Sequence, residues 1–149
     1  MRVGVIADSH GFVGELGNLL MKMEAEGPVD ALIHLGDGYG DLHELGAELP
    51  PVYQVAGNCD FFRDDTLWTI TLSGARLVLT HGHKQHVKQR GTEELLLLGK
   101  FERAQAVLYG HTHVQKAEVR DGVLLLNPGS AESGHYAVLN IRHDGTVTP

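Results

Sequence analysis

The sequence predicts an α/β fold in which two β-sheets pack face to face with helices on the outside. The first half alternates short Val- and Ile-rich runs with amphipathic stretches, which is typical of parallel strands joined by right-handed helical crossovers. The second half consists mainly of alternating strands separated by turn signals such as Ser-Gly and Asp-Gly, which favours hairpins. With 149 residues the chain can bury a core without disulfides, so we expect a single domain covering residues 1–149.

The predicted elements of the first half form a strand-helix-strand-helix-strand unit. Leu16, Leu19, Leu20 and Met23 follow the helical spacing i, i+3, i+4 and i+7, and Gly27-Pro28 ends that helix. The predicted segments are a strand at 2–7, a helix at 14–25, a strand at 31–35, a weaker helix at 42–48 and a strand at 52–56. In such parallel units the functional groups gather beyond the carboxyl ends of the strands.

The predicted elements of the second half are mostly strands. We predict strands at 67–72, 75–79, 106–109, 114–119, 123–126 and 135–142, with one helix at 92–101. Asp121-Gly122, between the fourth and fifth of these strands, is a strong signal for a type I′ turn.

Composition excludes several classes of protein. The net charge of −7 argues against a nonspecific nucleic-acid binder, which normally carries a basic surface. The longest apolar runs are far shorter than the ~20 residues that span a bilayer, so we expect no membrane insertion. The apolar run at the N-terminus is also too short for a signal peptide, and Cys59, the single cysteine, fits a reducing compartment. We therefore expect a cytoplasmic protein.

Polar residues of metal-ligand type follow five of the predicted strands. His111 and His113 follow one of them directly, and on an extended chain their side chains would project to the same side. The full set consists of Asp8, His10, Asp37, Asn58, His81, His111 and His113. These carboxylates, imidazoles and the amide are more ligands than one four-coordinate ion can bind. They suit a two-metal site with a bridging carboxylate. Taken singly, each residue also fits a helix cap, a turn or an exposed loop.

In this order, the motifs Asp8-x-His10, Gly36-Asp37, Gly57-Asn58, His81-Gly82-His83 and Gly110-His111-x-His113 resemble the signature of the calcineurin-like metallophosphoesterases. The turn Asn127-Pro128-Gly129-Ser130 is similar to one in the small stand-alone branch, which includes phosphodiesterases and the retromer subunit Vps29. The resemblance implies a four-layer αββα sandwich. It also implies two divalent ions, of which Mn²⁺ is our first expectation and Fe, Zn or Ni are the others.

Carried over to this sequence, the resemblance implies that Asp37 bridges the two metals. Asp8, His10 and His113 would hold the first ion, and Asn58, His81 and His111 would hold the second. His111 and His113 are thus expected on different ions. Two close metals would polarise the phosphoryl group and generate a metal-bound hydroxide as the attacking group.

The sequence departs from the superfamily pattern at Cys59, where many members carry a histidine that protonates the leaving group. A thiol is a poor donor to an alkoxide, so we expect a preference for aryl leaving groups. His83 or His86 could supply the proton or contact phosphate, or be plain loop residues. We interpret His34 and His43 as structural. Asp41 and Asp60 could orient the ligands or cap turns.

The sequence therefore predicts a binuclear metal-dependent phosphodiesterase acting on small phosphodiesters. Asp37, Asn58, Cys59 and His83 are the predicted catalytic residues. The alternatives are a metal-binding interaction scaffold of the Vps29 type and a phosphomonoesterase or nuclease. The acidic charge disfavours a nuclease, and the sequence is compatible with a homo-oligomer.

Overall fold

Two five-stranded β-sheets form the framework of the structure, a computed structural model that describes residues 1–46, 48–61 and 63–149. In chain order, the strands are β1 (Arg2–Ile6), β2 (Ala31–His34), β3 (Val52–Gln54), β4 (Leu67–Leu72), β5 (Ala75–Thr80), β6 (Ala106–Leu108), β7 (Lys116–Arg120), β8 (Val123–Asn127), β9 (Ala137–Ile141) and β10 (Val147–Thr148). The helices are α1 (Val13–Ala25), α2 (Asp41–Glu44), α3 (Val87–Arg90) and α4 (Glu93–Phe101), and a 3₁₀ turn covers Ala131–Ser133.

Each sheet contains three parallel strands, which are central in the second sheet and extend to one edge of the first. The first sheet has the order β10-β9-β1-β2-β3, and the second has the order β4-β5-β6-β8-β7. Strands β1, β2 and β3 run parallel, as do β5, β6 and β8. The carboxyl ends within each parallel set therefore lie at one edge of its sheet, where the predicted ligands follow.

Three apolar clusters separate four layers. The central cluster joins residues of both sheets, such as Val5, Ile33, Leu79 and Leu108, all of which are fully buried. A second cluster packs α1 onto the outer face of the first sheet, and a third packs α3 and α4 onto the outer face of the second sheet. This arrangement is the predicted αββα sandwich with two mixed sheets.

Most predicted elements are present, with shorter boundaries. The predicted helix at 42–48 is limited to α2, and the chain turns at Gly46, which has a φ of 65°. Residue 47 of that predicted helix lies outside the described residues. The 121–122 turn has the type I′ signature, since Asp121 and Gly122 have φ values of 51° and 79°. Helix α3 and strand β10 were not predicted, because each is only a few residues long.

The helices are short compared with a membrane span. The longest, α1, has 13 residues. Within the described ranges, no helix combines the length and hydropathy that crossing a bilayer requires.

Candidate metal centre

Asp8 lies at the centre of a polar cluster where the two sheets meet. It follows β1, is fully buried, and accepts a hydrogen bond from the His111 backbone N–H at 3.1 Å through Oδ2. Its Oδ1 lies 2.9 Å from Nε2 of His81 and 3.4 Å from Nε2 of His113. Burial alone would raise the pKa of Asp8, but the hydrogen bond and charge of His81, with smaller contributions from His113 and the His111 backbone, lower it. The carboxylate is therefore ionised at neutral pH.

Asp37 is the second buried carboxylate, and it follows β2 and Leu35-Gly36. Its Oδ2 lies 3.4 Å from Nε2 of His81 and 3.8 Å from Nε2 of His10, and its Oδ1 accepts a hydrogen bond from the Cys59 backbone N–H at 2.7 Å. The loops that follow β2 and β3 approach each other closely. A Cβ on Gly36, which has a φ of +104°, would lie 2.6 Å from the Gly57 nitrogen. Only glycine at position 36 permits this contact.

Asp60 fastens these two loops together. Its carboxylate accepts hydrogen bonds from the backbone N–H groups of Asp37, Gly38, Tyr39 and Gly57, at 2.7, 2.9, 3.0 and 2.7 Å. Burial alone would raise the pKa of Asp60, but these donors outweigh it and lower the pKa. Asp60 therefore fixes the backbone of Asp37 without itself joining the cluster.

The histidines gather around the two carboxylates from separate loops. The rings of His10 and His113 lie 5.3 Å apart, and those of His81 and His111 lie 4.9 Å apart. Burial, followed by the charges of His81, Lys88 and His83, lowers the pKa of His111 to about 4. Its imidazole is therefore neutral at pH 7, the form that binds metal ions.

The donor atoms form three groups in which all the atoms lie within 4.8 Å of one another. The groups are Asp8, His10 and His113; Asp37, His81 and His111; and His10, Asp37 and Cys59. His10 Nε2 is buried and has no hydrogen-bond partner among the described residues. A buried imidazole nitrogen without a partner carries a desolvation cost that a bound cation would remove. These residues therefore fit a site for metal ions.

The first 144 residues match the family model for the calcineurin-like phosphoesterase superfamily domain. The chain belongs to the calcineurin-like phosphoesterase superfamily. It is 35% identical over 161 aligned positions to the probable metallophosphoesterase YsnB of Bacillus subtilis, covering 99% of this chain and 88% of that protein. It is 30% identical over 154 positions to the phosphodiesterase YfcE of Escherichia coli, covering 87% of this chain and 79% of that protein.

A solved structure shows the same fold. A Vps29 mutant from Entamoeba histolytica superposes with a TM-score of 0.74 at 22% identity, covering 99% of this chain and 96% of that chain. The predicted resemblance to calcineurin-like metallophosphoesterases is thus confirmed. Phosphoesterases of this superfamily use divalent metals, and this chain supplies candidate ligand groups for them.

One geometric expectation was wrong. The segment that carries His111 and His113 is not extended, since these residues have φ values of 71° and 63°, in the left-handed region. The loop diverts the two side chains into different donor groups of the phosphoesterase site, His113 beside Asp8 and His111 beside Asp37. A left-handed backbone in histidine leaves no periodicity in the sequence, so the pattern could not reveal it.

The remaining predicted residues lie around this cluster. His83 Nδ1 is 3.2 Å from His81 Nδ1, whereas His86 is exposed at the start of α3. Asn58 is exposed, and its amide Nδ2 lies 3.7 Å from Cys59 Sγ. The ligand role of Asn58 and the catalytic role of His83 stay predictions.

His34 and Asp41 support the loop that carries Asp8 and His10. The His34 ring is fully buried, and burial lowers its pKa to about 4, so the ring is neutral. Its Nδ1 accepts from the Gly36 N–H at 3.1 Å, which places the proton on Nε2, 2.9 Å from Ser9 Oγ. Ser9 then donates to Asp41 Oδ2 at 2.6 Å. This buried series of hydrogen bonds anchors the loop that carries Asp8 and His10 from inside the phosphoesterase domain.

The sequence did not predict which residues after the strands of the second sheet hold the loops of the site in place. Asn127, at the end of β8, donates from Nδ2 to the carbonyl of Gly110 at 3.2 Å and to Thr112 Oγ1 at 2.9 Å. Ser130 Oγ donates to the Asp8 carbonyl at 3.1 Å. The position of Asn127 at another strand end was the available signal for this role.

Proposed function

We propose that this chain is a phosphodiesterase that hydrolyses small phosphodiesters with two divalent metal ions bound. The observation that carries the proposal is the division of the donor atoms into one group around Asp8 and a second around Asp37. Asp8, His10 and His113 would hold one ion, and Asn58, His81 and His111 would hold the other, with Asp37 shared. Mixed oxygen and nitrogen ligands suit Mn²⁺, with Fe, Zn or Ni as alternatives.

Bound divalent ions supply Lewis acidity toward phosphoryl oxygens and lower the pKa of water. The contribution of the protein is to present two buried carboxylates together with imidazole ligands on loops that are held by hydrogen bonds. Asp60 fixes the Asp37 backbone, Asn127 fixes the His111 loop, and Ser130 fixes Asp8. His83, beside His81, is the residue we assign to proton transfer or phosphate contact.

The related YfcE of Escherichia coli is named a phosphodiesterase, which supports a diester substrate for this chain. The test is hydrolysis of bis(4-nitrophenyl) phosphate by protein first stripped with a chelator and then reconstituted with Mn²⁺. We expect no turnover by the stripped protein and restored turnover after Mn²⁺ addition, with 4-nitrophenyl phosphate cleaved more slowly. Inactivity with every divalent metal tried would contradict the proposal and favour the interaction scaffold. Faster cleavage of the monoester would favour a phosphomonoesterase.

A second prediction concerns the leaving group. Partial desolvation, followed by the carboxylate of Asp37, raises the pKa of the Cys59 thiol in the metal-free protein. With or without metal, a thiol is a poor proton donor to an alkoxide leaving group. We expect aryl diesters to be cleaved much faster than dialkyl diesters, because phenolates need little protonation. Replacement of the thiol by an imidazole, Cys59→His, should reduce the aryl-to-alkyl rate ratio at least ~10-fold, since general acid catalysis is worth about 10²–10⁴-fold.

The ratio of the two rates is the measurement, since intrinsic reactivity favours aryl esters in both proteins. Equal rates for the two esters in the wild-type protein would refute the prediction. An unchanged ratio in Cys59→His would show that position 59 has no part in leaving-group protonation.

A further inference from the structure

The third donor group, formed by His10, Asp37 and Cys59, includes one residue from each of the other two donor groups. Its imidazole nitrogen, carboxylate oxygen and thiol sulfur lie within 4.8 Å of one another. The superfamily resemblance assigns the two metals to nitrogen and oxygen ligands alone. The sulfur is thus an additional donor at the junction of the two sites.

The loop holds the thiol in this position. The Cys59 backbone N–H donates to Asp37 Oδ1 at 2.7 Å, and the preceding Gly57 N–H is bound by Asp60 at 2.7 Å. Cys59 is exposed, so an ion can reach the sulfur from solvent. The neighbouring His10 Nε2 is buried and lacks a hydrogen-bond partner in the described part of the chain, which leaves it available as a ligand.

The three donors differ in their preference among metals. Carboxylate and imidazole accept Mn²⁺ and similar ions, whereas a thiolate strongly prefers soft ions such as Cd²⁺ and also binds Zn²⁺. Mn²⁺ held by oxygen and nitrogen would not need the sulfur as a ligand. A soft ion can instead form a metal–sulfur bond, with the S–H bond broken and the proton released to solvent.

We propose that Cys59 acts with His10 and Asp37 as a thiolate ligand for soft divalent ions, so that such ions bind in a mode that closes the site to substrate. The inhibition that we infer rests on the proposed function, whereas the binding of a soft ion to Cys59 does not. Cys59 would then let thiophilic metals switch off the Mn²⁺ enzyme. The sulfur would not affect the binding of ions that prefer oxygen ligands.

Cd²⁺ titration of the chelator-stripped full chain tests the binding. Because Cys59 is the single cysteine of the chain, an ultraviolet thiolate-to-cadmium charge-transfer band can come only from this residue. We expect the band in the wild-type protein, its absence in Cys59→Ser, and proton release on binding. Removing even an outer residue of a metal site weakens binding about 10–100-fold, so Cys59→Ser should weaken Cd²⁺ binding at least ~10-fold.

His10→Asn provides an independent variant, which should weaken the band while leaving the thiol in place. Near-native circular dichroism of both variants would exclude misfolding as the cause. Cd²⁺ bound by the wild-type protein without a charge-transfer band, or no Cd²⁺ binding at all, would overturn the inference. A band in a protein that has no Mn²⁺-dependent hydrolysis would support Cys59 as a ligand and refute the proposed enzyme instead.

Inhibition is then measured on the Mn²⁺-loaded protein, with each variant compared with its own uninhibited rate. The Cd²⁺ concentration that halves turnover should rise at least ~10-fold in Cys59→Ser, in line with the loss of affinity. Identical inhibition of both proteins would overturn the proposed switch.

Discussion

Asp37→Asn is expected to lower kcat/KM for bis(4-nitrophenyl) phosphate by about 10³-fold, because it removes the charge that we propose the two metal ions share. The substitution preserves the shape of the side chain, and its carbonyl can still accept from the Cys59 N–H. Its amide nitrogen would then replace the oxygen that now lies 3.4 Å from His81 and 3.8 Å from His10. An amide is a weaker ligand than a carboxylate, so metal content should also fall.

Asp121→Asn is the matched control, since Asp121 forms an exposed ion pair with Lys100 in the β7–β8 turn. Asparagine suits the left-handed conformation of this turn position, so we expect wild-type activity and stability. The measurements are steady-state kinetics with Mn²⁺ and metal analysis of each protein. Activity of Asp37→Asn within ~10-fold of wild type, about 1.4 kcal/mol in transition-state free energy, would exclude Asp37 as the bridging ligand.

Asp60→Ala is expected to lower both activity and stability, although Asp60 is in none of the three donor groups. The substitution removes the acceptor for four backbone N–H groups, including that of Asp37. Hydrogen bonds to a charged acceptor contribute about 1.5–3 kcal/mol each, but water can replace several of these partly buried contacts. We therefore expect a loss of about 3 kcal/mol in the free energy of unfolding, together with a fall in turnover of about 10²-fold from the displaced ligand.

The stability effect of Asp60 has a defined pH dependence. The pKa of Asp60 is lower in the folded protein than its ordinary value of 3.8, so folding favours the ionised form. Its contribution is fully present above the unfolded pKa and is lost as pH falls through the folded pKa. Chemical denaturation across this range should therefore show the difference between Asp60→Ala and wild type narrowing only below about pH 4.

Asp64→Ala, at an exposed position of the same loop region, removes an equal charge and serves as the control. If both substitutions destabilise the protein equally, the effect is one of net charge and the role assigned to the four hydrogen bonds is wrong.

Sequence reasoning reached the site because parallel strands deliver their following residues to one edge of a sheet. Asp8, Asp37 and His81 follow β1, β2 and β5, and their convergence depends on strand direction together with the packing of the two sheets against each other. The backbone geometry of the His111 loop was not predictable, since it is imposed by tertiary contacts such as that of Asn127 with Gly110. The sequence suggested that Asp60 orients ligands or caps a turn, but its partners were not predictable, because they include backbone groups more than twenty positions away along the chain.

The loops that carry the proposed ligands are rich in left-handed backbone conformations. Among the described residues, nine non-glycine positions have positive φ, and five of these are Asp8, His10, Asp37, His111 and His113. Each such conformation costs roughly 1–2 kcal/mol relative to a right-handed one. The fold thus concentrates conformational strain at the residues that we propose as metal ligands, and the free energy of cation binding would offset that strain. Glycine at one of these positions would relieve the strain but remove a proposed ligand, so stability and the proposed hydrolysis place opposite demands on these five residues.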